Sequence, residues 1–459
     1  MEYPDRQGAR LFVSRQGSTA QRRRRYRSMS GAAERGRGMT SRWRWVVRLL
    51  FRRIWFRAAL FSLSSVALAL LAAFVAPYIP YDISTKIGSD AVDNILGILA
   101  SSMLAVTTFS LTAMVSAFSA ASGAITPRAT QLLVEDSTAQ NALSTFLGAF
   151  LFSIVGICAL STGIYGKSGR VILFVGTILV IAIIVVTLLR WIGHLSNFGR
   201  VGNTIDRVEK VATDAIERSG YTVAVTPQAD MPIAGRHPVF AEKIGYITHI
   251  DLQALDEVAC RLGCAIDVRV MPGAFVTTSR EIAWLDRCDA ESDAEIRGAF
   301  TFDHHRQFDH DPRLGLVVLS EIASRALSPA VNDPGTGIAV LGSGVRVMIA
   351  LLDDGRPGDS GSGRVRLPDL SIGDLLDDLF RPIARDGAAI VEVAIKLQRS
   401  LAEIAAVAPM AHGLIAVRAA DALARCEAAM ASKADLESVR AAYRSHWTDT
   451  GAAQWHRKG

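Results

Sequence analysis

The sequence predicts an α-helical multi-pass membrane bundle of four spans followed by a cytosolic α+β domain, mostly helical in its C-terminal part. Three observations carry this. Uncharged apolar runs occupy residues 60–79, 94–126, 141–166 and 171–189, each about 20 residues or more, and a helix rising about 1.5 Å per residue crosses a hydrocarbon core of about 30 Å in that length. Positive charge is concentrated ahead of the first run. Beyond Arg190 the composition becomes that of a soluble protein, with strand-like and then helical patterning.

Residues 1–57 hold 16 Arg against Glu2, Asp5 and Glu34, a net +13, so with a total of +6 the remainder carries −7. Residues 1–42, with Arg22 to Arg25 and Gly- and Ser-rich flanks, have too little apolar surface to fold and read as a basic disordered tail. No secretory signal is expected, because the apolar run starts near residue 58; Met29 and Met39 are eligible starts alongside Met1. In 43–57 Trp43, Trp45, Leu49, Ile54 and Trp55 alternate with Arg44, Arg48, Arg52, Arg53 and Arg57, the pattern of an interfacial helix. Its expected partner is a bilayer with anionic headgroups, at about 1 kcal/mol per basic residue. A tail tethered this close to a membrane meets lipid first, so nucleic acid is not expected as a partner.

The transmembrane domain is expected over 58–199. Lys and Arg near span ends are retained in the cytoplasm. The loop with Asp82, Lys86, Asp90 and Asp93 fits the outer face, whereas Arg128, Arg190 and Arg200 follow the second and fourth spans. Both termini are then cytoplasmic and the location is the inner (plasma) membrane. Lys167 and Arg170 on the outside are a small violation outweighed by the N-terminal bias.

The second span is the odd one, with ten hydroxyls. At about 100° per residue, Ser101, Thr108, Thr112, Ser116, Ser119, Ser122 and Thr126 fall within about 60° of one direction. Such a stripe suits either a water-filled path or a close-packing face with interhelical hydroxyl bonds, and a homo-oligomer is expected. No Asp, Glu, Lys or Arg lies within any span, which argues against a proton relay or ion-coupled pump.

Residues 200–310 read as a linker helix followed by a small α/β module, with strands over 246–250 and 265–271, a helix capped by Asp251 and a Pro272-Gly273 turn. Residues 311–459 read as a helical cytosolic domain, with helices over 313–327, 334–352, 373–383, 387–407, 412–431 and 433–447.

The stretch Ala-Leu-Ser-Pro-Ala-Val-Asn-Asp-Pro at 326–334 resembles the signature of a bacterial family of predicted membrane proteins catalogued as domain of unknown function 2254. Thr126-Pro127-Arg128, Gly245-Tyr246-Ile247 with Asp251, Pro272-Gly273-Ala274-Phe275-Val276 and Asp311-Pro312 are further matches. Met271, Ala274 and His310 depart from the expected arginine, acid and glutamine. The resemblance implies an architecture, a multi-span region joined to this signature, and no activity.

Physically, Ser328-Pro329 stops one helix while Asp333 and Pro334 start the next, a buried corner set by geometry. The alternative is an anion held at that helix start by Asn332, Asp333, Pro334 and Gly335 with help from Arg325. Asp303, His304, His305, Asp309, His310 and Asp311 have metal-ligand chemistry, with His304, His305 and His310 as weak candidates, but a site needs three or four convergent ligands and a solvated loop is the plainer reading. Five cysteines without a Cys-x-x-Cys pair indicate neither a disulfide framework nor a zinc site. No catalytic residue and no cofactor are expected. Two function classes stay open. One is a nonenzymatic protein with a channel-like or sensor role, using the hydroxyl-lined second span gated by the cytosolic domain. The other is a membrane-tethered metal- or anion-binding enzyme or ligand domain.

Overall fold

The computed structural model describes residues 89–447 except 135, 163–165, 196–198, 226–235, 287–289 and 354–362, together with positions 59, 60, 63 and 67. The expected basic tail and interfacial helix, and all but three positions of the first span, lie outside the described residues.

Four helices among the described residues are long and apolar enough to cross a membrane: Val92–Gly123, Ser137–Ser161, Ile172–Leu195 and Pro334–Leu352. The first three answer to the second, third and fourth predicted spans. They belong to α1 (Ser89–Ala124), α3 (Ser137–Ser161) and α4 (Gly166–Leu195), with the short α2 (Pro127–Val134) between α1 and α3. Pro127 explains that break, since it cannot donate into a continuing α1 yet suits the first turn of α2. Asp136 caps α3 by accepting from the Ala139 amide at 2.8 Å. Leu99, Met103, Phe146, Ala149, Ile184 and Trp191 form one core of the bundle, and Leu96, Phe152 and Leu173 another.

α5 (Val201–Ser219) is strongly amphipathic and buries Ile205, Val208, Ala212 and Ile216. These join the largest core of the chain, built from α8 (Leu314–Ala326), α9 (Pro334–Asp353), α10 (Ile372–Asp386), α11 (Val391–Val407) and α12 (His412–Ala429). α13 (Lys433–Trp447) packs on α11 and α12. Ala121 and Ile125 from the end of α1, and Ala129 and Leu132 of α2, lie in the same core. The end of α1 and the short α2 thus pack into the core of the helical half, while the cores between α1, α3 and α4 are separate from it.

Between α5 and α8 lies a small α/β module with its own core. Strand β3 (Gly245–Ile250) is flanked by β5 (Phe275–Val276) and β7 (Phe300–Asp303), both antiparallel to it. A four-stranded sheet has the order β2 (His237–Phe240), β6 (Glu281–Leu285), β4 (Ile266–Val268), β8 (Val365–Arg366), with β4 and β8 parallel. β1 (Val223–Ala224) pairs in parallel with β9 (Leu370–Ser371). Helices α6 (Leu252–Leu262), capped by Asp251, and α7 (Ala290–Gly298) complete the module.

The predicted C-terminal helices are all present, most within two residues of their expected ends; α10 runs three residues further, to Asp386, and α11 starts four residues later, at Val391. The predicted strand at 265–271 is shorter, 266–268; the Arg269 amide makes one more bond to the Ile282 carbonyl of β6 before the chain turns at Pro272-Gly273. β2 and β6 lay outside the expected strands: β6 is too continuously buried to alternate.

Candidate functional site

The end of the second span is held by the signature helix. A helix C-terminus carries unpaired carbonyls and partial negative charge, which a guanidinium satisfies on both counts. Arg325, in the last turn of α8, donates to the Ile125 carbonyl at 3.2 Å and to the Gly123 carbonyl. One turn earlier on α8, Glu321 pairs with Arg128 at the start of α2. On the other side of α2, Arg207 of α5 pairs with Asp136 and reaches the Leu132 carbonyl. Asp136 is buried and also faces His194 Nε2 at 3.1 Å, so the residue that caps the third span meets the end of the fourth. Three charged side chains from α5 and α8, Arg207, Glu321 and Arg325, thus grip the loop between the second and third spans.

The signature itself is a corner, but not a buried one. Residues 329–333 are exposed, and what holds them is backbone: the Asn332 amide bonds to Ser328 at 2.9 Å and the Asp333 amide to Ala326 at 2.8 Å. Asn332 has φ +50, a left-handed conformation that Asn accepts more readily than most residues. Leu327 is buried beside Gly337, where an added Cβ would meet the leucine at 2.9 Å. Asp333 accepts from both the amide (3.1 Å) and the hydroxyl (2.6 Å) of Thr336. These bonds, with one from the Gly335 amide, hold its carboxyl below the usual carboxylate range. Pro334 opens α9 without an amide to give. Of the residues proposed for an anion, Arg325 is engaged with the second span and Asp333 already takes the amides of Gly335 and Thr336. The arrangement positions helices.

A second constellation lies at Asp311, which is buried. It receives Arg306 in a two-pronged pair at 2.7 and 3.0 Å and the amides of Arg313 and Leu314, capping α8. Gly273 has φ +93 and packs so closely that a Cβ there would overlap the Asp311 carboxylate. The Pro-Gly turn and the Asp-Pro pair, separate motifs in the sequence, are one contact. Tyr221 lies half-buried nearby, and its phenol is pushed up by desolvation and then by the charge of Asp311.

The six-residue imidazole and carboxylate run does not converge. Asp303 accepts from the His304 amide and from Gln307, Asp311 faces inward, and His310 stacks on His249 with ring centroids 4.6 Å apart. No group of three or more His, Cys, Asp or Glu able to hold a metal occurs among the described residues. His304 and His305 instead line a cleft of about 190 Å³ with Arg128, Gln131, Tyr246, Arg306, Phe308 and Leu314.

The hydroxyl stripe of α1 points away from the rest of the described bundle. Ser101, Thr108, Thr112, Ser116, Ser119 and Ser122 are all exposed, while Val92, Leu96, Leu99 and Met103 on the other side pack against α3 and α4. Ser101, Thr108, Thr112 and Ser122 donate to carbonyls of their own preceding turn at 2.9 to 3.1 Å, which leaves oxygen lone pairs facing outward. Exposed Ile98 and Phe109 border the stripe on one side and Leu104 and Leu111 on the other. Thr126 is buried at the junction instead.

Sequence reasoning missed Glu321, Arg207 and Asp136. Asp136 three residues ahead of an amide at the start of an apolar run was a legible cap signal; the two partners were ordinary charged positions on helix faces. The family described as predicted membrane protein (DUF2254) matches residues 52–403. Uncharacterized proteins of Mycobacterium bovis and Mycobacterium tuberculosis are each 24% identical over 254 residues, 51% of this chain and 47% of theirs. The chain spans about half the length of the curated relatives it matches. No solved structure matches. With the apolar helices, the gripped loop and the signature all inside the matched region, the chain belongs to the DUF2254 family of predicted membrane proteins.

Proposed function

We propose that this protein is a multi-pass protein of the inner membrane in which several copies assemble around the second span, whose hydroxyl stripe lines a channel-like path. The C-terminal half lies in the cytosol and acts as its sensor or gate. The observation that carries the reading is the outward face of α1. Six hydroxyls on a face that the chain's own α3 and α4 do not cover need either a neighbour or water, and self-bonded Thr and Ser side chains can border water while costing little in lipid. The apolar borders of the stripe suit contact between copies.

Gating follows from the junction. Arg325 and Glu321 sit on one helix and hold both the last turn of α1 and the first turn of α2, so a shift of α8 is passed to the hydroxyl-lined helix. Cytoplasmic placement of both termini rests on the arginine-rich N-terminus and on Arg128, Arg190 and Arg200. The basic segment at 43–57 would then lie on anionic headgroups. α9, though apolar, is read as a core helix of the cytosolic half because Arg346, near its middle, pairs with Glu209 of α5 at 2.6 Å.

Flux of ions and small neutral solutes into liposomes carrying the full chain tests this. Flux lost on replacing Thr112 and Ser119 by Phe supports the path, and none under voltage, tension or pH change refutes it.

A further inference from the structure

The cleft beside α2 has a chemistry that the channel reading does not use. Its polar lining is Arg128, Gln131, Tyr246, His304, His305 and Arg306, all able to donate hydrogen bonds, with Phe308 and Leu314 as its apolar part. No carboxylate is among its described lining residues. Glu321 and Asp311 pair with Arg128 and Arg306 from outside the lining, leaving each guanidinium further N–H donors, and Asp303 turns to its own loop through the His304 amide and Gln307. A wall of guanidinium, imidazole, phenol and amide groups without an acceptor carboxylate matches a phosphate ester.

Position narrows the ligand. Arg128 and Gln131 lie on α2, which starts where the second span ends, at the level where phospholipid headgroups sit. On the three-stranded sheet whose central strand supplies Tyr246, two apolar side chains project, Ile244 just before that strand and Phe275 on the edge strand β5: Ile244 is 61% and Phe275 58% exposed, and Phe275 meets the Tyr246 ring edge-on with centroids 5.2 Å apart. Aromatic rings on a surface close to a span favour the membrane interface. At about 190 Å³ the cleft is smaller than the roughly 300–1,000 Å³ that encloses a drug-sized ligand, so it suits a headgroup with the acyl chains left outside.

We propose that this cleft binds the phosphate of a membrane phospholipid, with Ile244 and Phe275 entering the headgroup boundary beside it. The site ties the small α/β module to the bilayer at the loop gripped by α5 and α8. It requires only that α1 spans the membrane, and stands whether or not the hydroxyl stripe conducts.

The test uses the full chain in nanodiscs, with its native cysteines replaced and bimane attached at Ile244→Cys, and separately at Phe275→Cys. Lipids carrying a nitroxide near the headgroup should quench both labels increasingly as phosphatidylglycerol replaces phosphatidylcholine. His304→Ala with His305→Ala, two exposed side chains whose loss leaves the Arg128 and Arg306 pairs in place, should raise the phosphatidylglycerol fraction for half-quenching by about fivefold. Arg128→Gln should do the same. Absence of quenching at both positions, or quenching indifferent to these variants, overturns the proposal. Loss of quenching on adding millimolar inorganic phosphate would mark a soluble-phosphate site and overturn it equally.

Discussion

α1 and α9 are both long and apolar enough to cross a membrane, yet they are partnered in opposite ways. α9 is enclosed by α5, α8 and α11, and exposes only Gly335, Ala339 and Arg346 among its residues up to Leu352. α1 leaves Ile98, Leu104, Phe109, Leu111 and Val115 bare, together with six hydroxyls. Apolarity states what a helix must be kept from; its neighbours decide whether protein or lipid does the keeping. A charged residue at mid-helix, Arg346 paired with Glu209, belongs to the first case. Hydroxyls bonded to their own backbone belong to the second.

The comparison is open to direct attack, and the largest effects are expected in the half that holds α9. Asp311→Ala leaves the half-buried Arg306 without its partner and uncaps α8, and should cost about 3–5 kcal/mol from the lost charge-assisted bonds and the lost cap together, read as a thermal unfolding shift of the detergent-solubilised full chain. An unchanged midpoint would mean that the Asp311 cap does not hold the junction. Gly315→Val comes next, at about 3 kcal/mol, because a Cβ at Gly315 already overlaps Ala212 of α5; a smaller loss would show that α5 and α8 can part.

Arg325→Ala should cost about 2 kcal/mol and speed amide exchange in the last turn of α1 and in α2, with exchange in α11 unaltered. Uniform acceleration would indicate general destabilisation instead of a lost grip. Arg346→Met should change stability by about 1 kcal/mol or less, as for a half-exposed pair. If α9 lay in lipid, removing the arginine would stabilise by roughly 2.5–3.5 kcal/mol, the cost of a charge at a span centre. Thr108→Val with Thr112→Val should be the mildest, within about 0.5 kcal/mol, since neither hydroxyl bonds to another helix.

Much of this architecture was readable because it rests on local rules. Uncharged runs marked the second, third and fourth expected spans as long apolar helices, Asp251 and the Asp333-Pro334 pair marked helix starts, and periodicity marked the C-terminal helices. What was hidden depends on contacts far apart in the chain. Nothing around Gly273 announces that it packs against Asp311, nothing around Arg325 that it caps a helix about two hundred positions earlier, and β8 joins β4 from across α8 and α9. The hydroxyl stripe was visible as a pattern, but its direction was not, because periodicity gives a face and only the neighbours say what the face meets. The histidine run read as a solvated loop more than as a metal site, but where each ring goes was not legible: the loop sends His304 and His305 to one side and His310 to His249 on another.

The most direct measurement is the rate at which a membrane-impermeant thiol reagent labels single cysteines along α1 in the full chain reconstituted in liposomes. Cysteines at Thr108, Thr112 and Ser119 should react far faster than those at Met103 and Ser110, which face α3 and α4, or at Leu104 and Leu111 on the stripe's apolar border. Equal, slow labelling at all seven positions would contradict the account, leaving the stripe dry and α1 an ordinary lipid-facing span.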